Sequence, residues 1–130
     1  MDVALGARMG GPEAGLRFLP AVVAYRPRLK AALAPVVVPG AATLDIELFV
    51  GGSISDYAES GFSAVAKYSG KKAVLAVVIQ VPRQEAMAVN EADANAAVAG
   101  WVARGLESMK RSASAGALDL AGVLAALKST

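Results

Sequence analysis

The chain has 130 residues, 55% of them apolar, and its 13 basic and 11 acidic side chains leave a net charge of +2. It contains no cysteine and no histidine, which excludes disulfides, thiol nucleophiles, thiolate metal sites and imidazole acid–base catalysis. A single domain with one core fits this length, and so small a basic excess argues against a nucleic-acid surface.

Residues 1–15, MDVALGARMGGPEAG, carry four glycines and a proline without a sustained period. They read as a flexible lead-in to one domain spanning 16–130. No basic region followed by an apolar block marks the chain for export. The apolar runs PVVVPGAATL and AVLAVVIQV fall short of the ~20 residues a spanning helix needs. The expectation is a cytoplasmic protein that does not enter a membrane.

Over residues 16–38 two readings stay open. Val22, Tyr25, Leu29, Ala32, Leu33 and Val36 share one helical face, which points to a helix starting near Pro20. The competitor is a strand at 16–24 followed by a short helix from Pro27, since proline kinks or divides a helix. Helix over 27–34 is common to both.

In TLDIELFV, residues 43–50, Leu44, Ile46, Leu48 and Val50 alternate with Thr43, Asp45, Glu47 and Phe49. That period of two predicts a half-buried strand. A second extended run begins at Gly61, Ser69-Gly70 predicts a tight reversal, and KAVLAVVIQVP is apolar on both faces until Pro82. A strand covered on both faces, or central in its sheet, has this composition. The three runs together predict an antiparallel meander.

After Pro82 the period lengthens. Ala94, Ala97, Val98, Trp101, Val102, Leu106 and Met109 form one stripe, with Gly105 beside it and Asn90 placed to cap a helix over about 91–111. Residues 112–116 are a small-residue linker, and Leu120, Val123, Leu124 and Leu127 predict a last short helix. The expected fold is α+β: an antiparallel β-meander of three or more strands with helices packed on one face.

Two stretches could carry chemistry. Asp45 and Glu47 share a strand face about 7 Å apart, suited to a carboxylate pair or a divalent ion. The opposite face is wholly apolar, so a solvent-facing side accounts for them better, with Lys67 of the right parity to sit across from one of them. Residues 51–61, GGSISDYAESG, offer Ser53, Ser55, Asp56, Tyr57 and Glu59 between two strands. Neither the phosphate-loop nor the dinucleotide spacing is present, which leaves a hairpin connection or a partner-binding loop. The basic groups Arg26, Arg28 and Lys30, then Lys71-Lys72, then Lys110-Arg111, read as solvated element ends. Trp101, central in its stripe, reads as core.

The succession of strand, GGSISD, ESG, strand, SGKK hairpin, a strand ending in VP and then a helix resembles small bacterial immunity proteins of polymorphic toxin systems, over residues 43–110. The resemblance implies a protein that binds and neutralises a cognate toxin. Such proteins are often acidic when the toxin is a nuclease, and the slightly basic balance here departs from that. The expectation is a non-enzymatic protein-binding module without cofactor or metal. The alternatives are a small-ligand-binding or homo-oligomeric domain using the apolar stretch 16–38, and a carboxylate- or magnesium-dependent enzyme using Asp45, Glu47, Asp56 and Glu59.

Overall fold

The computed structural model describes residues 2–36, 43–51, 63–69, 74–110 and 125. The elements are β1 (Asp2–Met9), α1 (Pro12–Leu33), β2 (Thr43–Val50), β3 (Ser63–Ser69), β4 (Val74–Val81), α2 (Arg83–Met87) and, after one 3-10 turn at Glu91–Asp93, α3 (Ala94–Lys110). The final short helix expected around 120–127 falls almost wholly outside the described residues.

The four strands form one sheet in the order β1-β2-β4-β3. β1, β2 and β4 are parallel, and only β3 runs antiparallel, against β4. The expected antiparallel meander is therefore wrong. A meander would have set β3 between β2 and β4. Instead β2 and β4 pair directly and β3 takes an edge. The apolar β4 thus has both its edges hydrogen-bonded, the central position its composition suits. β3, which carries Lys67 and a serine at each end, is better able to leave one edge open.

The N-terminal lead-in is also overturned. Residues 2–9 pair with β2 along their whole length, and Val3 and Leu5 are buried. α1 starts at Pro12 and makes the crossover from β1 to β2 that a parallel pair requires. It runs unbroken through Pro20 and Pro27, so the strand reading of 16–24 fails. Both prolines lie on the exposed side of the helix, away from its packing against the core.

Register aligns the apolar positions into rows across the parallel strands, Leu5–Ile46–Val77 and Met9–Val50–Val81 among them. The helices cover this face. Phe18, Val22, Leu29 and Leu33 of α1 and Val98, Trp101, Val102 and Leu106 of α3 are buried over it. The Phe18 and Trp101 rings meet edge to face, centroids 5.0 Å apart. Gly105 is where α3 lies closest to the sheet: a Cβ there would collide with Ile79 Cδ1. Asn90 precedes the 3-10 turn but makes no side-chain cap; its carbonyl accepts from the Asp93 amide at 2.9 Å. None of the described helices is long and apolar enough to cross a membrane.

Candidate functional site

On the face of the sheet away from the helices, Asp45 is exposed and Glu47 lies half-buried two residues along β2. Glu47 has a partner that the sequence did not suggest. Arg8 Nε on β1 lies 3.1 Å from Glu47 Oε1, and its guanidinium rests 5.4 Å from the centre of the Phe49 ring. An exposed pair of this kind contributes about 0–1 kcal/mol.

Lys67 is not across from either carboxylate. The register runs Asp45↔Ala76 and Ala76↔Lys67, so β4 intervenes and the backbones are two strand spacings apart, roughly 9–10 Å. Among the described residues, no group of three or more Asp, Glu, His or Cys could hold a metal ion.

A cleft of about 390 Å³ opens at the C-terminal ends of the three parallel strands. The Gly10 amide donates to the Val50 carbonyl at 2.8 Å, and the Gly51 amide to the Val81 carbonyl at 3.1 Å. These bonds carry the ladder one residue past each strand and bring the three ends level. Gly51 has φ +66°, the left-handed region that favours glycine, and turns the chain out of the sheet there. Gly10, Gly11 and Glu13 form one wall, Arg83 and Met87 another. Arg17 braces the second wall, donating to the Val89 carbonyl at 2.9 Å. The start of α1 has no side-chain cap, and Pro12 at its first position has no amide hydrogen to satisfy.

Chemically the lining is backbone, apolar surface, the Glu13 carboxylate and the Arg83 guanidinium. Gly51 belongs to this wall and leads directly into residues 52–62. Ser53, Ser55, Asp56, Tyr57 and Glu59 lie in that stretch, outside the described residues. Sequence reasoning passed over Gly10, Gly11, Glu13 and Arg83. Gly-Gly-Pro ahead of a helix was a signal for a strand-to-helix turn, hidden by reading the segment as a lead-in.

Comparison with protein-family models, with curated proteins and with solved structures finds no match.

Proposed function

We propose that the chain is a non-enzymatic binding module that engages another protein with the strand-end region, its cleft and the following segment 52–62 acting together. The observation that supports this is the position of Gly51, which lines the cleft and directly precedes that segment in the sequence. Ligands of parallel sheets gather outside the carboxyl ends of the strands. Here that end offers a partner the Glu13 carboxylate, the Arg83 guanidinium and the apolar surface of Met87. The specific form of the reading is a cytoplasmic immunity factor or inhibitor of a cognate toxin.

The test is binding between this chain and the product of a toxin-like reading frame beside its gene, measured by calorimetry. Tyr57→Ala should weaken the complex by about 2 kcal/mol or more, as a hot-spot aromatic does. Arg83→Glu should weaken it too. A complex indifferent to both substitutions places recognition elsewhere, and absence of any complex removes the immunity reading.

A further inference from the structure

α1 is apolar on both sides. One face packs on the sheet and on α3. The opposite face is exposed, yet Leu16, Pro20, Val23 and Pro27 run along its centre at spacings of four, three and four residues. Leu16 is 81% exposed, Val23 54%, and Leu19 beside them 44%; among the described residues these are the large apolar side chains most open to solvent. An apolar stripe on the face turned away from the core, flanked by charged residues, marks an interaction surface.

We infer that this face pairs with a second copy of the chain, α1 against α1, antiparallel about a two-fold axis between residues 21 and 22. The charges and the apolar spacing both support this occupant. In that register Leu16 lies against Pro27 of the other protomer and Pro20 against Val23. Leu19 meets Ala24. Glu13, at one end of the stripe, then reaches Lys30 of the other protomer, and the two-fold axis repeats the contact at the far end. Glu13 and Lys30 are both exposed, and neither forms an ion pair among the described residues. Self-complementarity of this kind is what an isologous interface demands. The surface meets the strand-end cleft at Glu13, which lines both, while Leu16, Pro20, Val23 and Pro27 lie outside the cleft lining.

A helix of 22 residues is about 33 Å long, and one helix face buries less than the ~800 Å² per partner of a standard interface. The dimer is therefore of modest strength, with a dissociation constant on the order of 1–100 µM. Sedimentation velocity of the full chain across that concentration range is the test. The wild type should pass from monomer to dimer, and Leu16→Asp with Val23→Asp should stay monomeric while keeping its circular-dichroism melt, because both sites are exposed.

Glu13→Lys alone, or Lys30→Glu alone, should weaken association roughly five- to thirty-fold, two contacts being reversed at once. The two changes together should restore it to within about two-fold. A wild type monomeric throughout overturns the inference, whatever else covers the stripe. So does a dimer that survives the Leu16 and Val23 changes, or a charge reversal that fails to restore pairing.

Discussion

Two glycines of α3 separate local propensity from packing. Gly100 is exposed, with nothing within 4 Å of the place a Cβ would take. Gly100→Ala should raise stability by about 0.5–1 kcal/mol, the ordinary gain in a helix interior. Gly105 has the same propensity to gain, but its added methyl would stand 2.6 Å from Ile79 Cγ1 and 3.3 Å from Cγ2, on a fully buried β-branched residue. Overpacking of this kind costs about 1–3 kcal/mol and should outweigh the gain. Opposite shifts in denaturant midpoint for the two variants are the expected outcome. Tyr25 gives a second residue-level prediction. Burial pushes its hydroxyl above the usual value of 10.0, against a smaller opposing pull from Arg28. The unfolded chain then loses this proton first. The contribution is intact below about pH 10 and is lost as pH rises through the higher folded value. Tyr25→Phe should flatten that alkaline decline relative to wild type in pH-resolved melts.

At the scale of elements, the helix layer is tied to the sheet by long-range contacts. Arg26, expected to be a solvated end, donates from Nε to the Leu5 carbonyl of the edge strand β1 at 2.9 Å. It thereby satisfies a sheet-edge acceptor that would otherwise depend on water. Arg104 of α3 pairs with Glu85 of α2 at the surface. Apolar burial between the layers contributes more than either polar contact. Trp101 is almost fully buried against Phe18, so Trp101→Ala opens a cavity at the junction of α1, α3 and the sheet. Chemical denaturation should show a loss of about 3–5 kcal/mol. An unchanged midpoint would remove Trp101 from the core.

For the whole molecule, the decisive contact is between β1 and β2. Deleting residues 1–9 removes an edge strand together with Val3 and Leu5, each buried side chain being worth about 1.5–3 kcal/mol. Against a typical total of about 5–15 kcal/mol, that loss should abolish or severely lower the cooperative melt. A true lead-in would leave the melt unchanged, so the two readings of this segment give opposite calorimetric results.

The strands 43–50 and 74–81 and the helix from 94 were legible because each has a period set by its own backbone. Alternating leucines in TLDIELFV and the stripe through Val98, Trp101 and Val102 need no knowledge of what lies across from them. β1 was less legible because Ala4, Gly6 and Ala7 are small and blur the contrast between its two faces. Strand order could not be read from period at all. Alternation records which face is buried, whereas order depends on which backbone edges find each other, and that is settled between segments far apart in the chain. Glu47 shows the same limit at the candidate site. Its carboxylate and its solvent-facing side were visible in the sequence, but its partner Arg8 arrives only when β1 pairs in parallel register. The cleft likewise exists only once the ends of three parallel strands are brought level, an arrangement no single stretch of sequence contains.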